Sequence, residues 1–156
     1  MADCNSINDL TMSGSENVPG SRTASGAVTG SVQLLLRAEG LAVAAVTALF
    51  YARTGASWWL FAALWLVPDL SMLGYLAGAC CGARAYNAVH TYFLPGVLAF
   101  LALVLRADAV LPIALIWANH IAVDRLLGYG LKYADGFGFT HLGRLGKASA
   151  ATPASR

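Results

Sequence analysis

Asp69, His90, His120 and Asp124 are the residues of this chain whose types best suit chemistry. All four lie inside long apolar stretches. An ionisable group there is expensive, about 2.5–3.5 kcal/mol for an Asp at the centre of a membrane helix on insertion scales. Such groups persist where they pair with one another, hold an ion or move a proton. Two imidazoles with two carboxylates form the donor set of a divalent cation such as zinc, iron or manganese, because the ring nitrogens are neutral and the carboxylates balance the ion in a dry site. An ion with an open position would support hydrolysis of a lipid ester or phosphodiester, with one carboxylate as ligand or general base.

The spacing brings further groups to these four. His120 and Asp124 are four residues apart and share a helix face, as do Tyr86 and His90. Arg125 adjoins Asp124, and Lys132 and His141 follow in a polar segment beyond the last apolar stretch. Tyr86, Arg125, Lys132 and His141 are therefore candidate accessory residues, the last two for an anionic headgroup. Glu39 is a further acid within an apolar stretch.

Four elements must position these side chains. Apolar stretches run over about 34–52, 57–76, 86–105 and 111–131. Each approaches the ~20 residues that cross a ~30 Å hydrocarbon layer. The breaks, Arg53 to Gly55, Gly78 to Arg84 and Arg106 to Asp108, are short, which predicts an all-α, polytopic bundle of about four antiparallel transmembrane helices. In that order Asp69, His90 and Asp124 each fall roughly 10 Å from the same membrane boundary. Pro68 and Pro95 predict local kinks beside the polar groups. Trp58, Trp59, Tyr129 and Tyr133 stand where interface aromatics belong.

Composition agrees. The 156 residues are 58% apolar and only 12% charged, against ~25% in soluble domains, too few polar residues to cover a soluble surface of this size. The net charge of +2 excludes a nucleic-acid surface and leaves the lipid bilayer as the expected partner. Arg22, Arg37, Arg84, Lys132, Arg144 and Lys147 outweigh Arg53 and Arg106, which predicts both termini on the cytoplasmic side. Adjacent Cys80 and Cys81 do not suit a mutual disulfide, and no disulfide framework is expected. The expected domains are a disordered polar leader over 1–30, the transmembrane domain with its C-terminal Gly-rich loop over 31–146, and a disordered tail over 147–156.

Other readings of the polar set are open. The groups could pair between helices, Asp69 with Arg84 and Glu39 with Arg37 or Arg125, making the protein a structural partner. They could titrate as a small transport or proton-relay unit. His90 and His120 could hold a b-type haem.

The runs "LRAEGL", "SWWLFAALWLVPDLSMLGYLAG", "AYNAVHTYFLP" and "WANHIAVDRLLGYGLKYADGFGFTHLG" resemble the small bacterial membrane proteins grouped as domain of unknown function 4260. The resemblance covers about Leu34 to Gly146 and implies a membrane location, a bacterial inner membrane, without an established activity. A weaker similarity is to membrane-bound metal-dependent hydrolases, with Pro68-Asp69, His90-Thr91 and His120 with Asp124 in comparable places. Here Ser71 stands where that pattern favours a second acid, and His90 precedes its Thr instead of following it.

Overall fold

A computed structural model describes residue 28, residues 30–133 and residues 138–144. The expected leader, apart from residues 28 and 30, and the expected tail lie outside the described residues, as does Gly136 of the Gly-rich loop. Helix α1 spans Ser31–Arg53, α2 Trp58–Trp65, α3 Ala79–Val89, α4 Phe93–Val104 and α5 Leu111–Leu127. A 3₁₀ segment, Val67–Ala77, joins α2 to α3, and the two-residue strands β1 (Phe139–Thr140) and β2 (Gly143–Arg144) pair as a small hairpin. Three apolar helical stretches, Ser31–Arg53, Trp58–Ala77 and Ala79–Val104, are long enough to cross a membrane, and α5 is a shorter fourth.

The chain is thus an all-α membrane protein, and large apolar side chains cover its outside. Leu35, Leu49, Phe100 and Leu103 are each more than half exposed. Such a surface is unfavourable in water and matched to hydrocarbon. The interior is narrow and built on α5, which presents Ala114, Ile116, His120, Ile121 and Ala122 to its neighbours. Helices α1, α2 and α4 pack around it, while α3 packs on the 3₁₀ segment.

Small residues set the closest approaches. A Cβ at Gly40 would stand 2.8 Å from the Leu126 nitrogen and 2.9 Å from the Ala122 oxygen, so α1 reaches the α5 backbone only with glycine there. Nearby, the Arg37 guanidinium donates to the carbonyls of Leu126 and Leu127 at 2.9 Å each, capping α5 where Gly128 turns left-handed at φ 95°. On the opposite side Gly82 sits against the Tyr75 ring, which lets α3 lie flush on the 3₁₀ segment.

Three of the four stretches differ from the sequence expectation. The second stretch is not one α-helix, because Pro68 lacks an N–H and the chain tightens into 3₁₀ geometry from Val67. The third begins at Ala79, so Gly78–Arg84 is not a loop: Gly78 alone makes the turn at φ 108° and α3 starts at once. That third stretch then breaks at His90–Tyr92 before Pro95 enters α4. The fourth ends at Leu127 instead of Leu131, stopped by Gly128. Cys81 is a free, exposed thiol.

Candidate functional site

The break after α3 aims His90 into the bundle. As the last residue before the chain leaves the helix, His90 keeps its backbone N–H on the Tyr86 carbonyl at 2.8 Å, and its ring Nδ1 lies 3.0 Å from the same oxygen. A carbonyl only accepts, so the ring proton belongs on Nδ1 and Nε2 offers a lone pair. The Tyr86 ring stacks on the imidazole at 3.7 Å and holds its plane. The freed His90 carbonyl takes a 2.8 Å bond from Arg125, whose other nitrogen donates to the Tyr129 carbonyl.

That lone pair faces three further donor atoms. His90 Nε2 lies 3.2 Å from His120 Nε2, 3.6 Å from Asp69 Oδ1 and 3.6 Å from Asp124 Oδ2. His120 Nε2 is 3.5 Å from Asp69 Oδ1 and 3.9 Å from Asp124 Oδ2. All four donor atoms fall within 4.8 Å of one another. Both imidazoles are fully buried, while the Asp124 side chain is 13% and the Asp69 side chain 32% exposed, so the cluster is open on the Asp69 side. Tyr86 donates its hydroxyl to Asp124 Oδ2 at 2.9 Å.

An ion of zinc's size fits this spacing. Tetrahedral bonds of about 2.0–2.1 Å place donors about 3.3–3.4 Å apart, within the observed 3.2–3.9 Å and toward its short end, so a bound ion would draw the donors slightly together. The donor chemistry fits too: a neutral imidazole lone pair beside two carboxylates is a concentration of acceptors that a cation resolves. His120 Nδ1 is buried without a hydrogen-bond partner, and the Trp65 ring meets that imidazole edge-on at 4.9 Å.

The chain carries a match over residues 33–145 to the family model described as a domain of unknown function, DUF4260. It belongs to that family. No curated protein and no solved structure matches it.

Around the cluster of this DUF4260 protein, the accessory residues divide by role. Tyr86 touches both His90 and Asp124. Arg125 is no ligand; it bonds the His90 and Tyr129 carbonyls and fixes where α3 ends. Lys132 is buried, with its ammonium 4.4 Å from the Tyr86 ring centre and 5.5 Å from that of Tyr75. Burial pushes the Lys132 ammonium down to about 8, against the opposing pull of Asp124 and Asp69. His141 does not join the cluster. Its Nδ1 accepts from the Leu131 N–H at 2.8 Å, its own N–H donates to the Leu131 carbonyl, and its carbonyl accepts from the Val28 N–H, so it latches the loop.

Among the described residues the ion pairs within 4 Å are those of the cluster itself. The expected Asp69–Arg84 and Glu39 pairings are not formed. Arg37 is committed to capping α5 and Arg125 to backbone carbonyls, which explains why neither meets Glu39.

Two working residues escaped the sequence reading. Asn119 accepts from the Trp65 indole at 3.1 Å and donates to the Ala44 carbonyl and the Thr47 hydroxyl, tying α1, α2 and α5 together beside His120. Asn87 donates to the Lys132 carbonyl at 2.8 Å and accepts from its N–H at 2.7 Å. Both are amides inside apolar stretches, so the cost of a polar group there was the signal that could have found them.

Proposed function

We propose that Asp69, His90, His120 and Asp124 hold one divalent cation, with zinc the best fit, and that the centre hydrolyses a membrane-partitioned ester or phosphodiester. The observation that carries this reading is the donor spacing, 3.2 Å between the two Nε2 atoms and 3.5–3.9 Å from them to the carboxylate oxygens, around a His90 lone pair fixed by the Tyr86 carbonyl. A bound ion would supply Lewis acidity toward a carbonyl or phosphoryl oxygen. The protein's own parts have separate tasks. The two imidazoles and Asp124 are locked by packing and hydrogen bonds, whereas Asp69, on the open side, is the ligand that an incoming water would displace, and once displaced it would be free to take that water's proton. Lys132 supplies positive charge beside the two carboxylates and suits an anionic group on the substrate.

A bacterial inner membrane with both flanks cytoplasmic agrees with the distribution of Arg and Lys. Modification of exposed Cys81 by a membrane-impermeant maleimide in intact cells versus inverted vesicles reads the orientation directly. Labelling of intact cells would reverse it.

Elemental analysis of detergent-purified protein tests the centre. Wild type should carry about one zinc, iron or manganese ion per chain, and Asp69→Asn and His120→Ala should lose it. Well-folded wild type with no metal from metal-replete growth sinks the proposal and leaves the Tyr86–Asp124–His cluster as a proton path.

A further inference from the structure

An apolar cleft of about 450 Å³ lies against the first half of α5, beside the candidate centre. Val67, Leu70 and Ser71 of the 3₁₀ segment form one wall, Val89 closes it beside His90, and Ile113 and Trp117 of α5 form the other. Its volume is that of a small-molecule pocket. Val67, Leu70 and Ile113 are 47%, 61% and 40% exposed, so its rim belongs to the hydrocarbon-facing surface of the bundle.

We infer that this cleft holds a hydrocarbon chain of the substrate, so that the substrate is a lipid with its cleavable group near the chain's polar end. This rests on the proposed centre for its chemistry, but not for its shape. Three observations point to a chain as the occupant. First, the walls offer it nothing polar to bind except Ser71: the Trp117 indole N–H is spent on the Val89 carbonyl at 2.8 Å, while the Ser71 hydroxyl is buried without a hydrogen-bond partner.

Second, the cleft borders the centre: none of the four cluster residues lines it, but its walls are their neighbours along the chain. Trp117 lies three residues before His120 on α5, Val89 directly precedes His90, and Ser71 follows Asp69 by two. From Ile113 to His120 is about 10 Å along the helix axis.

Third, the direction matches a lipid. His120 and Asp124 lie in the last two turns of α5, near its Gly128 end, and the cleft residues lie in the first half. A chain in the cleft therefore points toward the middle of the bilayer while its polar end meets Asp69, the exposed carboxylate of the cluster. Moving a tail from bilayer into the cleft gains no hydrophobic free energy, since lipid tails are as apolar as the walls. Shape and the polar end must supply the selectivity, and binding is best read by position instead of affinity.

The test is photolabelling of the purified full chain in nanodiscs with a monoacylglycerol bearing a diazirine in its acyl chain, with labelled residues mapped by mass spectrometry. Metal content is measured on the same samples. Saturable labelling of the cleft walls, competed by unlabelled monoolein and lost in Ile113→Trp or Leu70→Trp at opposite walls, supports the chain slot. Even, unsaturable labelling of outward residues such as Leu35, Leu49, Phe100 and Leu103 means annular lipid and overturns it. Cleft labelling in a wild type that holds no metal keeps the slot and removes the metal reading. A metal-loaded wild type with no cleft labelling does the reverse.

Discussion

Removing one oxygen atom from Tyr86 separates a metal centre from a cluster of helix-pairing groups. Tyr86→Phe keeps the ring that stacks on His90 at 3.7 Å and the backbone carbonyl that holds the His90 proton on Nδ1. It deletes the 2.9 Å bond from the hydroxyl to Asp124 Oδ2, the carboxylate oxygen that faces both imidazoles. A hydrogen bond to a charged group contributes about 1.5–3 kcal/mol, which corresponds to roughly 10- to 150-fold. Part of that cancels, because the hydroxyl also stabilises the ion-free carboxylate. Loss of an outer partner of a metal ligand is typically worth about 10- to 100-fold in affinity, and the lower half of that range is expected here. Competition against a fluorescent zinc chelator in detergent micelles reads the change. Asp124→Asn marks full loss of the ligand, and the double variant gives the coupling between the two side chains. A folded Tyr86→Phe protein that binds zinc as tightly as wild type, or more tightly, would refute the argument that Asp124 ligates through the oxygen Tyr86 holds.

Two further outcomes concern the segment that follows α5. Asn87→Ala loses both side-chain bonds to the Lys132 backbone, worth about 2 kcal/mol together, and should raise hydrogen exchange at the Lys132 amide. Unchanged exchange would show that Thr140, which bridges Lys132 from the hairpin, holds the segment alone. Burial first and the Arg125 charge second hold the His141 imidazole below its ordinary pKa, and its Nδ1 must stay unprotonated to accept from Leu131. The released segment therefore binds more protons than the docked one between the lowered and the ordinary value. Docking strengthens as pH rises through that window and weakens as pH falls through it. Exchange at Leu131, corrected for its intrinsic pH dependence, should show less protection at about pH 5 than at about pH 7.5, and His141→Ala should remove the difference. A pH response that survives His141→Ala would assign it elsewhere.

The membrane character and the four-residue cluster were legible in the sequence for one reason. An ionisable side chain inside an apolar stretch carries its cost whatever its partners turn out to be, so Asp69, His90, His120 and Asp124 stood out before any contact was known. Their similar distance from one end of each stretch followed from helical rise alone. The same rule applied to amides would have exposed Asn119 and Asn87. What it could not reveal was partnership: Arg84, Arg37 and Arg125 were equally plausible counter-ions, and none of them meets the carboxylates in an ion pair.

The sequence by itself determined the solvent of this protein and the inventory of groups that must be satisfied within it, because hydropathy and residue type are local properties. Tertiary structure decided the rest. The end of α3 at His90 turns one imidazole inward and frees the carbonyl that Arg125 takes up. The 3₁₀ segment brings Asp69 to the same point, glycines at 40 and 82 let the helices approach closely enough, and His141 is drawn off to latch a loop. These outcomes depend on which backbone groups and side chains compete for the same few ångströms, and that competition exists only once the helices are packed.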